Sequence, residues 1–259
     1  MKAPVDTIAA PPFPPQLRWI NVPAKRLRME QLAGRPFLVE FWDFCRPNSI
    51  RTLPYIKGWH ARYSHDGEGL AVIGVHSPGF EASRPREAVI EAVQRLGIEY
   101  PVLIDTALET WREYENLGWP ARYLFNGQGT LYDYHYGEGA YEETELAIQD
   151  LLGPGAERPE PIAPMRPEDA PEAELAPQTE DQDGPYSGPY EAGGVWAVVS
   201  GKGILTVNGG PQQGGSELVV KQVGAYPLIE HERHTAGVVT VEAGEGVRCL
   251  ATCFTPGIG

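Results

Sequence analysis

The sequence predicts an α/β domain followed by a small all-β domain, with an acidic, proline-rich segment between them. Three observations carry this reading. Strand-like and helix-like apolar patterns alternate up to about residue 152. Past residue 186 the pattern changes to short β-branched runs separated by glycine turns. Charge and proline concentrate in the stretch between.

The elements follow in order. Pro36–Trp42 is a nearly continuous apolar run interrupted by Glu40, as expected of a strand covered on both faces. Gly69–Val75 is a second such run. Arg86–Leu96 carries Val89, Val93 and Leu96 on one helical face, with Gly97 as the stop. Tyr100–Ile104 reads as a short strand. Arg122–Phe125 and Thr130–Tyr136 flank Asn126-Gly127, a hairpin turn signal. Glu142–Leu152 closes the domain as a helix. In the second domain, Val195–Val199, Ile204–Val207, Leu218–Val220, Val238–Val241 and Val247–Phe254 are short strands of a sandwich or barrel.

Between the domains, 152–185 holds nine Asp/Glu against two Arg, together with eight prolines. That is half of the chain's net charge of −14 in 34 residues. Like charge and proline both oppose a compact core, so 153–185 is expected to be an extended, semi-rigid linker or a strap along a domain surface. The expected division is then 12–152, the linker 153–185, and 186–259.

Composition excludes some functions. The acidic balance opposes nucleic-acid binding, which needs a basic surface. No apolar run is long enough to cross a bilayer. The N-terminal MKAPVDTIAAPPFPPQL lacks the apolar centre of a secretory leader, so a cytoplasmic protein is expected if Met1 is the native start. Three cysteines give no disulfide framework. No cofactor is expected.

Several stretches together resemble the thioredoxin superfamily, in particular redoxins of the TlpA and DipZ type. They are GRPFLVEFW, RTLPYIKGWHARY, LAVIGVHSPGF, YPVLIDTALETW, GWPARYLF and HYGEGAYEETE. The likeness spans about 12–152 and implies a thioredoxin-like fold. In that family a Cys-x-x-Cys pair opens the helix after the first core strand; one sulfur attacks and the other resolves the mixed disulfide. The resemblance implies two landmarks. The first cysteine position lies four residues after the strand-end tryptophan, here Trp42, and the second lies five residues before the helix proline, here Pro54. They fall on Arg46 and Ser49, so both thiols are replaced and Cys45 stands one residue early. A slipped register, with Cys45-Arg46-Pro47-Asn48 as a one-thiol motif, is the alternative.

Each candidate then has two readings. Arg46, at the first turn of a helix, suits a shared anion site, or turns to solvent or to Asp43. Ser49 is an isosteric plug for the resolving thiol. Cys45, beside Arg46 and a helix N-terminus, is a candidate peroxidase or sensor thiol, or a packing residue. Glu40 stands where the family has a buried carboxylate, costly there unless paired or protonated, or is an ordinary strand-edge glutamate. Trp119-Pro120 resembles the family's cis-proline loop. With Trp42 it lines a groove for a peptide, a protein or a small anionic ligand. In the β domain, EHERH (Glu230–His234) offers two imidazoles without an evident third ligand, so no metal is expected. Cys249 and Cys253, four apart on a strand, stand about 13 Å apart, too far for a mutual disulfide, and read as core residues. Redoxins of this type pair with a β-sandwich resembling carbohydrate-binding modules, which makes sugar binding a further option.

Overall fold

A computed structural model describes residues 7–65, 68–155, 158–210 and 215–259. The leader reading at Met1–Asp6 and the linker residues Ala156 and Glu157 lie outside them. The chain forms two compact units. One holds Asn48–Ala163 with the chain up to Asp43; the other holds Phe44–Pro47 with Pro164–Gly259.

The first unit contains β1 (Arg18–Ile20), β2 (Phe37–Trp42), α1 (Pro47–Tyr63, whose Pro47 falls to the second unit), β3 (Ser64–His65), β4 (Glu68–Gly69), β5 (Ala71–His76) and α2 (Arg86–Arg95). It continues with β6 (Val102–Ile104), α3 (Glu109–Glu113), β7 (Ala121–Phe125), β8 (Leu131–Tyr136) and α4 (Tyr141–Leu152). Six strands form one sheet in the order β1-β6-β5-β2-β7-β8. β2 pairs parallel with β5 and β5 with β6, while β7 pairs antiparallel with β2. This is a thioredoxin-like α/β sheet.

Every residue of β2 is buried, which accounts for its near-continuous apolar run. Phe37, Val39 and Phe41 join a core with Ile73, Val75, Leu103, Tyr123 and Phe125. Phe41 is ringed edge-on by Trp111, Tyr114 and Tyr123. Alternation turns Leu38, Glu40 and Trp42 to the opposite face. Gly74 on β5 is closely packed: a Cβ there would lie 3.0 Å from both Trp42 Nε1 and Tyr100 Cε2. Pro54 sits inside α1, where it cannot donate to the helix ladder. α3 is started by Asp105, whose carboxylate accepts the N–H groups of Glu109, Thr110 and Trp111.

The segment after α4 stays with this unit as far as Ala163. Glu145 anchors it. Its carboxylate is 1% exposed and accepts from Trp59 Nε1, Arg62 Nη1, Tyr63 Oη and the backbone N–H of Ile162, at 2.7–3.0 Å. Gln149 donates to the Pro159 carbonyl.

The second unit is all-β. It contains β9 (Leu175–Ala176), β10 (Gln182–Asp183), β11 (Ser187–Gly201), β12 (Gly203–Gly209), β13 (Ser216–Val220), β14 (Gly224–Ala243), β15 (Val247–Thr255) and β16 (Gly257–Ile258). Six of them form an antiparallel sheet, β10-β15-β11-β14-β12-β13, and β9 pairs with β16. Residues 164–185 thus contribute two short paired strands and a 3-10 turn at Pro167–Asp169, closed by Arg166 on Asp169. β11 and β14 run much longer than their apolar runs suggest, because each serves two neighbours.

Candidate functional site

The stretch that resembles the redox motif begins at the carboxyl end of β2. Trp42 ends the strand and is fully buried. Ser49, in the first turns of α1, is also fully buried, and its Oγ accepts the Asp43 backbone N–H at 3.2 Å. The hydroxyl therefore fastens the turn to its own helix. Cys45 is 0% exposed and lies in no disulfide. Phe44–Pro47 belong to the second unit, where the Ala225 N–H donates to the Phe44 carbonyl at 3.0 Å. Arg46 is half-buried there, and its charge acts on Cys253.

Sequence reasoning missed the polar cluster built around Asp43. Asp43 Oδ2 accepts from the Gly79 N–H at 2.7 Å and from Ser83 Oγ at 3.1 Å, and Oδ1 lies 3.4 Å from His76 Nε2. Both partners are buried, and the His76 ring meets Trp42 edge-on. Ser77, next along, donates to Asp105. Its carbonyl accepts the Trp119 indole N–H at 2.8 Å, and the Trp119–Pro120 peptide is cis. The strand ends of β2, β5 and β6 and the Trp119-Pro120 loop are thus tied together, at the edge where α/β sheets present ligands. The HSPGF stretch, with a histidine and a serine closing an apolar strand, was the available signal.

Behind the motif lies a buried carboxyl–guanidinium pair. Glu40 on β2 is directly opposite Arg122 on β7, at 0% and 1% exposure. Tyr100 Oη donates to Glu40 Oε2 at 3.3 Å, whereas Oε1 has no hydrogen-bond partner among the described residues. Burial pushes the Glu40 carboxyl up to about 8, against the pull of Arg122 and the Tyr100 hydrogen bond. Arg122 Nη2 donates to the Gly139 carbonyl at 2.6 Å, and its guanidinium lies over the Tyr141 and Trp59 rings. Burial lowers its pKa as well. An arginine inside an otherwise apolar hairpin strand was the sign of this partner.

The second unit separates its candidates. Ala192 pairs with Thr235 and Gly194 with Glu230, so His231–His234 form a bulge opposite Gly193. Within it His231 Nε2 bonds Tyr190 Oη at 2.8 Å, and His234 lies 3.8 Å from Glu191. Among the described residues no three potential ligands gather for a metal. Cys249 and Cys253 are both buried on β15. A register shift beside Val199 places Cys249 in the core with Val199, while Cys253, opposite Trp196, faces the other side. Burial raises the Cys253 thiol, with Asp181 reinforcing and Arg46 opposing. No described helix is long and apolar enough to cross a membrane.

Comparison with known proteins bears on the first unit. Protein DipZ of Mycobacterium bovis is 36% identical over 165 residues, which are 62% of this chain and 24% of that protein. Thiol-disulfide oxidoreductase ResA of Halalkalibacterium halodurans is 24% identical over 136 residues, 52% of this chain and 73% of that protein. A solved thioredoxin-like superfamily protein superposes with a TM-score of 0.50 at 21% identity, covering 58% of this chain and 100% of that one, a likeness of fold. The chain spans about a quarter of the length of DipZ, 24%. No family model matches it.

Proposed function

The chain carries a thioredoxin-superfamily redoxin domain of the DipZ and ResA type, and from that premise we propose that it has given up dithiol exchange and keeps the domain for binding. One observation carries the reading. Counted from the family's landmarks at Trp42 and Pro54, the two motif positions fall on Arg46 and Ser49, and the Ser49 hydroxyl is buried and accepts the Asp43 N–H. Neither side chain can form or resolve a mixed disulfide. The ligand is a peptide, a protein segment or a small anion. It lies along the half-exposed Trp119 of the Trp119-Pro120 loop, whose ring face offers contact without thiol chemistry.

The rival is a one-cysteine peroxidase or sensor using Cys45. Its complete burial opposes that role, since such thiols are accessible as well as acidic. For metal binding by the second unit, no three potential ligands gather among the described residues. Two measurements test the proposal together. The protein should not accelerate insulin-disulfide reduction by dithiothreitol, and peroxide consumption should be equal with and without Cys45→Ala. Meanwhile the Trp119 indole resonance should shift on titration with unfolded peptide. Catalytic turnover that disappears in Cys45→Ala would reject it.

A further inference from the structure

The outer strand of the second sheet has a self-complementary edge. β13 ends the strand order and pairs only with β12; among the described residues nothing pairs with its other side. Such an edge is a template for another strand, and proteins that stay apart usually blunt it with proline, a bulge or inward charge. β13 has no proline, bulge or inward charge within Ser216–Val220; it is short, and its outward charges are of opposite sign. Leu218 and Val220 point into the core. Alternation puts Glu217 and Val219 on the opposite face, and Lys221 follows directly after the strand; all three are exposed. Val219 is 58% exposed and stands beside Ile204, its register partner on β12, at 42%.

Antiparallel pairing of two identical strands about a two-fold axis at Val219 fixes the rest of the register. Val219 meets its own copy. Glu217, two residues before it, then faces Lys221, two residues after it, and the symmetry makes that pair twice. Both pairs lie on the exposed face, flanking an apolar row of Ile204, Val219 and their copies. We propose that the occupant of this edge is a second copy of the chain, joined through β13 so that the two six-stranded sheets become one. The contact is a short strand pair with exposed charges, so association is modest and weakens with salt.

The charge pattern supplies the test. Glu217→Lys leaves a chain with lysine at both positions, and Lys221→Glu leaves one with glutamate at both. Each variant alone should self-associate about tenfold more weakly than wild type, because both cross-strand pairs become like-charged. Mixed in equal amounts they should form a heterodimer, because both pairs are then opposite in sign. Sedimentation velocity of the full chain across micromolar to near-millimolar concentrations reads this, and recovery in the mixture shows that each variant is folded. A wild type that is monomeric throughout overturns the proposal. So do variants that dimerise alone, which would place the contact elsewhere, and a mixture that fails to pair.

Discussion

Replacing Glu40 by glutamine should flatten the dependence of stability on pH. The carboxyl is fully buried, and its pKa is about 8 against an ordinary 4.5. The folded state therefore keeps a proton that the unfolded chain has already released between those values. The sign follows. The contribution is intact below pH 4.5, declines as pH rises, and is lost above about 8. The gap from 4.5 to about 8, at about 1.4 kcal/mol per pH unit, sets a ceiling of about 5 kcal/mol. Arg122 opposite and Tyr100 beside it are the charged and titratable groups that face the carboxyl and limit the loss. Glu40→Gln keeps the shape and an acceptor for Tyr100 but cannot ionise. Amide exchange of β2 and β7, measured from pH 4 to 9, reports opening of this sheet. Wild type should lose protection across that window while the variant stays nearly flat. The Glu40 carboxyl carbon should titrate near 8 by NMR. Parallel curves for the two proteins, or a carboxyl that titrates in the ordinary range, would refute the reasoning.

Three further outcomes are expected. Glu145→Ala strands buried donors on Trp59, Tyr63 and Ile162, and should cost about 3–5 kcal/mol in chemical denaturation. Gly74→Ala pushes a methyl against the Trp42 and Tyr100 rings, and should lower stability by about 1–3 kcal/mol, read from the melting temperature. Arg46→Cys combined with Ser49→Cys tests the motif register. If those are the thiol positions, the double variant should form an internal disulfide that mass spectrometry detects as a loss of two hydrogens.

The alternation of β2, β5, α2, β6 and the Asn126-Gly127 hairpin was legible because each element carries its own period or turn residue. β1 and α3 were not. β1 has three residues and exists only because β6 offers it an edge, while α3 depends on Asp105 supplying its first N–H partners. In the second unit β-branched runs marked strand centres, but neighbours on both sides decide how far β11 and β14 extend. The resemblance, through its landmarks at Trp42 and Pro54, pointed to Arg46 and Ser49. The partners of these residues were not readable. Asp43 with His76, and Glu40 with Arg122, join residues 33 and 82 positions apart, and only strand register brings them together. Cys249 and Cys253 show the same limit: equal spacing predicts one face, and a single irregularity in the ladder reverses it.

The Glu145 cluster says which shortening would damage the first unit's own contacts. A cut after Leu152, the end of the last helix, would strip Glu145 of its Ile162 N–H and open Gln149 to solvent where the Pro159 carbonyl now accepts from it. A cut after Ala163 keeps both bonds inside one fragment. Pro159 and Ile162 are thus tied to the last helix, and the fragment ending at Leu152 should be the less stable of the two.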